Sequence, residues 1–243
     1  MTYCVGLKID RGLAFMSDTR TNAGVDSIAT FRKMFTWVTP GERVIVLLTA
    51  GNLATTQAVV SLLDERSKSP SERSPSVLET PSMFQTARVV GNLVKEVIGD
   101  STPAGQTQDA FGASFILGGQ IKGTEPRLFM IYPEGNFVEA NTDTPFFQIG
   151  ETKYGKPILV RAYDPAMSFE QAAKLLMVSF DSTLKSNLSV GLPLDMLFYE
   201  TDSFEVGFQK RVTAEDPYFR ALSDGWSDAL KNAFSHLPDF PMD

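Results

Sequence analysis

Thr2 follows Met1 directly. Threonine is small enough for the preceding methionine to be removed routinely, which would leave a free α-amine one bond from Cα. Such an amine has a pKa near 8, roughly. It can take the proton of the same residue's hydroxyl, directly or through one water, so nucleophilic catalysis needs no histidine. That matters here, because the sequence has one histidine, His236, and one cysteine, Cys4. A single histidine excludes paired-histidine metal sites, and a single cysteine excludes an intrachain disulfide and every multi-cysteine metal centre. His236 lies beside Pro238 and Pro241 and reads as a surface residue, while Cys4 alternates into the interior of a strand with nothing adjacent to lower its pKa. Three further groups join Thr2: Asp18 in Ser17-Asp18-Thr19-Arg20, then Lys33, then Gly51 in Thr49-Ala50-Gly51-Asn52. Taken singly, each has an ordinary explanation: a loop cap, a solvated edge-strand charge, a break after a strand.

The elements that must position these residues are legible from hydrophobic period. Tyr3, Val5, Leu7 and Ile9 share one face of a strand, Asp10-Arg11-Gly12 is a turn, and Leu13 to Ser17 is the returning strand. Thr21 to Thr30 reads as a loop, Lys33 to Val38 as a third strand, and Arg43 to Ala50 as a buried strand. Leu53 to Glu65 reads as a helix. Lys68 to Thr80 is rich in Ser and Pro and reads as an exposed loop, with Thr80-Pro81 starting the next helix. On that helix Phe84, Ala87, Gly91, Val94 and Ile98 should share a face. Strands follow at Ala113 to Gly119, Arg127 to Ile131 and Asn136 to Glu139. Ser168-Phe-Glu-Gln171 is a capping box opening an amphipathic helix. Late strands at Leu194 to Tyr199 and Val206 to Lys210 precede a last helix capped by Asp216-Pro217, with Phe219, Leu222, Trp226, Ala229 and Ala233 on one stripe that is expected to pack on its own subunit. Hairpins imply antiparallel sheets, and the helices arrive in pairs. Two sheets face to face with a helix layer on each outer side is the simplest arrangement, an α+β αββα sandwich.

Thr2, Asp18, Lys33 and Ala50-Gly51, in that order and on those elements, resemble the proteasome β-subunit family of N-terminal threonine hydrolases. The stretches TNAGVDSIATFRKMF and RVIVLLTAGNLATTQAV resemble its bacterial "ancestral β subunit" (Anbu) branch. The resemblance implies a four-layer sandwich of the N-terminal nucleophile hydrolase type. It also implies roles: Thr2 as nucleophile and amine base, Lys33 as the adjacent ammonium, Asp18 as its partner, and the Gly51 N–H as oxyanion donor. Arg20, Asn22, Thr49 and Leu53 fall where the family shapes its substrate channel. The supporting Asp and Ser of the family are expected at Asp181 and Ser189, with a wider gap than usual. The family's Ser-Gly-rich segment should fall near Gly150, where Glu151 or Thr152 stands instead of serine. The resemblance implies a single domain over residues 1–243, an inserted loop at about 67–80 and a C-terminal extension from about 207.

The net charge is −7, from 22 Lys plus Arg and 29 Asp plus Glu, which argues against a general nucleic-acid binder. Gly118-Gly119 lacks the spacing of a nucleotide loop, and neither cofactor nor metal is expected. No segment has the length to span a bilayer or the pattern of a secretion signal, so a cytoplasmic chain is expected, with Met1 removal its only maturation. The family resemblance implies a homo-oligomer, a ring or spiral of many subunits. Its substrate would be a peptide or unfolded protein, with an unfoldase partner left unspecified. An amidohydrolase acting on a small amide uses the same chemistry, and a self-assembling scaffold with a weak or vestigial site is compatible with the altered segment at Glu151 to Tyr154.

Overall fold

A computed structural model describes residues 2–22, 28–68, 75–101 and 108–242. In chain order the elements are β1 (Tyr3–Ile9), β2 (Gly12–Asp18), β3 (Arg20–Asn22), β4 (Ile28–Thr30), β5 (Met34–Thr39), β6 (Arg43–Gly51), α1 (Leu53–Lys68), α2 (Met83–Ser101), β7 (Ala113–Ile121), β8 (Arg127–Ile131), β9 (Phe137–Glu139), β10 (Phe146–Gly150), α3 (Lys156–Ala162), α4 (Phe169–Ser186), β11 (Leu194–Glu200), β12 (Phe208–Val212) and α5 (Pro217–Ser235). One sheet runs β10-β1-β2-β11-β12 and the other β5-β6-β7-β8-β9, with β3-β4 a separate small pair. Every pairing is antiparallel.

Three buried clusters define four layers. Ile45, Leu47, Phe115 and Phe129 face α1 and α2. Tyr3, Val5, Leu7, Met16 and Met196 face α3, α4 and the start of α5. Between the sheets lie Cys4, Phe15, Val44, Val46, Leu48 and Ile149. The unbroken apolar run of β6 follows from this: alternate residues go to different clusters, so neither face sees water. Each fully buried aliphatic or aromatic side chain contributes roughly 1.5–3 kcal/mol. The result is the αββα sandwich expected from the sequence.

Several elements differ from expectation. Within Thr21 to Thr30, Arg20–Asn22 and Ile28–Thr30 pair as strands, and residues 23–27 lie outside the described set. β10 was not expected; it pairs with β1, in register Tyr3 with Gly150, and so reaches the N-terminus. The Ser/Pro loop is not exposed throughout: Ser76, Val77 and Thr80 are buried, and Arg43 donates to the Val77 and Thr80 carbonyls. Residues 69–74 of that loop are outside the described set. Ser82 rather than Thr80 caps α2, accepting from Gln85 N, because the Thr80 hydroxyl is already bonded to Thr86 and Val77. Phe84 turns outward while Ala87, Gly91, Val94 and Ile98 are buried. The last strand is shifted by two residues, to Phe208–Val212. On α5 only Phe219 and Leu222 of the apolar stripe join the core, and Ala229 and Ala233 are exposed. None of the helices among the described residues is long and apolar enough to cross a membrane.

Candidate active site

Thr2 leads into β1, and Asp18 ends the neighbouring β2. The β1–β2 register sets Cys4 opposite Ser17, and so Tyr3 opposite Asp18. The Tyr3 backbone N–H donates to Asp18 Oδ1 at 3.0 Å. Lys33 comes from the other sheet, one residue before β5, and its ammonium donates to Asp18 Oδ1 at 2.7 Å and to the Arg20 carbonyl at 2.6 Å. The Gly191 N–H donates to Asp18 Oδ2 at 3.3 Å. Asp18 is fully buried and Lys33 is 4% exposed, so neither is a loop cap or a solvated charge. An ion pair held this deep recovers its desolvation penalty only when further hydrogen bonds satisfy its members; here both Asp18 oxygens accept, and the ammonium makes two bonds. Burial pushes the Asp18 carboxyl above its ordinary pKa, opposed by Lys33 and by the Tyr3 and Gly191 N–H groups.

Thr2 is 8% exposed. Its carbonyl accepts from the Glu151 N–H at 2.6 Å, which continues the β1–β10 ladder. Gly150 has φ of 81°, and a Cβ there would lie 2.7 Å from the Thr2 carbonyl carbon, so glycine is what lets β10 close on the N-terminus. A cavity of about 430 Å³ opens beside Thr2 and is lined by Asn22, Lys33, Thr49, Gly51 and Leu53 among others. Gly51 has φ of 112°, is exposed at this cavity, and has the Gly112 carbonyl where a side chain would begin. Thr49 is fixed beneath it: its N–H donates to the Lys33 carbonyl at 2.9 Å and its own carbonyl accepts from the Cys4 thiol. Cys4 is fully buried, and burial pushes its thiol well above the ordinary range.

The structure thus brings together Thr2, Asp18, Lys33, Gly51, Asn22, Thr49 and Leu53. Three other candidates lie elsewhere. Arg20 does not line the cavity; its guanidinium runs against Gly191 and donates to the Leu188 carbonyl at 3.0 Å. Asp181 sits in the body of α4, where it accepts from Ser223 of α5 at 2.6 Å and pairs with Lys185 at 3.2 Å. It is more than a turn short of the helix end that approaches β10. Ser189 lies on the loop leading to Gly191, where its N–H donates to Asn187 Oδ1 at 2.9 Å.

Tyr3, Gly191 and Asn187 join the site without having been assigned to it by sequence reasoning, and Asn187 does so through Glu151. Tyr3 and Gly191 supply backbone donors to Asp18. Asn187, the C-cap of α4, donates to Glu151 Oε2 at 2.8 Å, and the Lys153 N–H donates to Glu151 Oε1 at 2.7 Å. Burial pushes the Glu151 carboxyl up, but the N–H groups of Lys153, Thr152 and Tyr154 and the Asn187 amide outweigh it and hold it below its ordinary pKa. The replacement of serine by Glu151 was visible in the sequence. Its partner Asn187 was not, because only the closure of α4 onto β10 brings the two together.

The chain matches the family described as proteasome subunit over residues 2–192. Among solved structures it is similar to Anbu from Hyphomicrobium sp. strain MC1, at 54% identity and a TM-score of 0.92 over 99% of this chain and 100% of that one. It is also similar to Anbu (ancestral beta-subunit) from Yersinia bercovieri, at 48% identity and 0.93 over 100% of both chains. A structure described as the helical assembly of the Anbu complex from Pseudomonas aeruginosa matches at 48% identity and 0.92 over 99% of both. No curated protein matches the chain.

Proposed function

The chain belongs to the proteasome subunit family, and on that premise we propose that it is an N-terminal threonine hydrolase that cleaves peptide bonds within a homo-oligomeric particle. The observation that carries this reading is the buried Lys33–Asp18 pair beside Thr2, at the mouth of a cavity large enough for a substrate side chain. A cation fixed at low exposure next to a hydroxyl favours its ionised form, and a preorganised charge of this kind acts most strongly where water is excluded.

In the proposed reaction, removal of Met1 frees the Thr2 α-amine. Thr2 Oγ attacks the scissile carbonyl carbon and its proton passes to that amine. The tetrahedral oxyanion is met by the Gly51 N–H, and Lys33 stabilises the developing charge. Collapse breaks the C–N bond, the proton goes to the leaving amine, and an ester remains on Thr2. Water, deprotonated by the same α-amine, then hydrolyses the ester. The multi-subunit particle is supported by the similarity to a relative described as a helical assembly.

The test is intact mass of the purified protein with and without a threonine-directed peptide electrophile. The expected native chain begins at Thr2 and gains one adduct. Complete retention of Met1 in cells, or absence of an adduct on a chain that begins at Thr2, overturns the reading in favour of a scaffold. Equal turnover of short amides and of longer peptides would identify a small-amide hydrolase instead.

A further inference from the structure

The cavity beside Thr2 has a one-sided charge. Among the described residues that line it, the charged ones are Arg32 and Lys33, and there is no aspartate or glutamate. Lys33 is neutralised by Asp18. Arg32 is exposed and, among the described residues, has neither an ion-pair nor a hydrogen-bond partner. Among the described residues the cavity therefore carries one uncompensated positive charge, on a chain whose net charge is −7. The rest of the lining mixes polar and apolar surface. Asn22, Asn52, Thr56 and Gln57 contribute amides and a hydroxyl, while Phe35 contributes one half-buried aromatic wall. A lysine or arginine side chain would meet like charge. Asn22 Oδ1 is buried and has no hydrogen-bond partner among the described residues, so it offers an acceptor for a substrate N–H. The planar guanidinium of Arg32 matches a carboxylate in a two-point contact that an ammonium does not provide.

We propose that this cavity receives the residue whose carbonyl is attacked and selects an acidic side chain, glutamate or aspartate, through Arg32. The inference rests on the reading of Thr2 as nucleophile and adds a substrate class to it. Arg32 is then a specificity-determining residue. Its charge is accessible to water, so the selectivity falls as salt is raised.

The experiment has two arms on the full-length, assembled protein. In the first, peptide electrophiles that differ only in the residue bearing the reactive group, Glu, Gln, Leu or Lys, are compared by the rate of Thr2 modification. The expected order places Glu about tenfold above Gln, the scale of one charge-assisted hydrogen bond, with Lys slowest. Arg32→Met brings the Glu-to-Gln ratio near one, and Arg32→Glu reverses the preference toward Lys. A native ratio near one, or a ratio that survives Arg32→Met, overturns the proposal. The second arm needs no acylation: the Thr2→Ala variant binds peptides ending in Glu or Gln, and the same Arg32-dependent ratio is read from their dissociation constants. Selective binding without any modification of Thr2 keeps the cavity assignment and removes the hydrolase reading. Modification without selectivity does the opposite.

Discussion

At the scale of single residues the decisive contact is the one between Lys33 and Asp18, because it joins the two sheets beneath Thr2. If Lys33 activates the Thr2 hydroxyl, Lys33→Ala removes the charge that stabilises the alkoxide, and losing one such element costs on the order of 10²–10³ in rate. Lys33→Arg does not restore it, since a planar guanidinium cannot occupy the space between Asp18 and the Arg20 carbonyl as a compact ammonium does. The depth of the pair adds a complication that the sequence did not disclose. Removing one partner of a buried pair leaves the other unpaired and destabilises by about 3–5 kcal/mol. Burial already pushes the Asp18 carboxyl upward and Lys33 opposes it, so Lys33→Ala moves the carboxyl further toward its protonated form, which limits that cost. The matched control is Lys33→Met with Asp18→Asn, which keeps an acceptor for the Tyr3 N–H, gives up the one for the Gly191 N–H, and leaves no net charge. Both variants are expected to label with a peptide electrophile at least about a hundredfold more slowly than the native chain at equal oligomeric state. Equal labelling of native and control would make the pair structural and remove Lys33 from the mechanism.

At the scale of elements, helix ends decide several features of the site and of the fold. α4 is opened by the Ser168–Gln171 capping box and closed at Asn187, and that closing residue reaches Glu151. α5 is opened by Asp216, whose carboxylate accepts from the Phe219 N–H at 3.0 Å and pairs with Lys210 of β12 at 2.7 Å. Lys210 first, and then the Phe219 N–H, hold the Asp216 carboxyl below its ordinary value of 3.8. A depressed folded-state pKa means the contribution is present above about pH 3.8 and is lost as pH falls through the lower folded value. Asp216→Ala is expected to lower stability by about 1 kcal/mol at neutral pH. The difference should shrink toward zero below pH 3.8. Urea unfolding at matched protein concentration across that range checks it, and a deficit that is constant with pH would mean the cap carries no charge effect. These helix starts were legible because capping is a local signal. So were β1, β2 and β6, and with them Thr2, Asp18 and Gly51, since period and turn residues mark them directly. β10 was not legible: Phe147 and Ile149 face the inter-sheet core while Gln148 is buried against Tyr3, so the strand has no polar face to produce alternation. Asp181 looked eligible by residue type, but α4 runs on to Ser186, and only the tertiary packing of that helix end shows that Asn187, and not Asp181, reaches Glu151.

At the scale of the whole molecule, the unexplained surface lies at one end. The second half of α5 and the segment after it present Leu230, Phe234, Leu237, Phe240 and Met242, with Phe234 77% and Met242 91% exposed. Trp226, Leu230 and Phe234 are spaced by four residues and continue the stripe whose first members, Phe219 and Leu222, are packed on α4. The stripe therefore leaves its own subunit halfway along the helix. Monomeric proteins rarely leave a contiguous apolar surface of this kind in water. The proposed homo-oligomer supplies a cover for it, because a second copy can bury what the first cannot. The native chain is then expected to scatter as a particle many times its own 26.7 kDa at micromolar concentration. Leu230→Ser with Phe234→Ser removes two exposed apolar side chains without touching α4 or the sheet that carries Thr2. It should shift the population toward smaller species while the helical signal of the subunit is retained. Loss of assembly with an unfolded subunit would instead mean that the stripe stabilises its own chain. A native protein that runs as a monomer under these conditions would leave the particle without support, and a variant that assembles as the native chain does would move the subunit contacts to other faces of the sandwich.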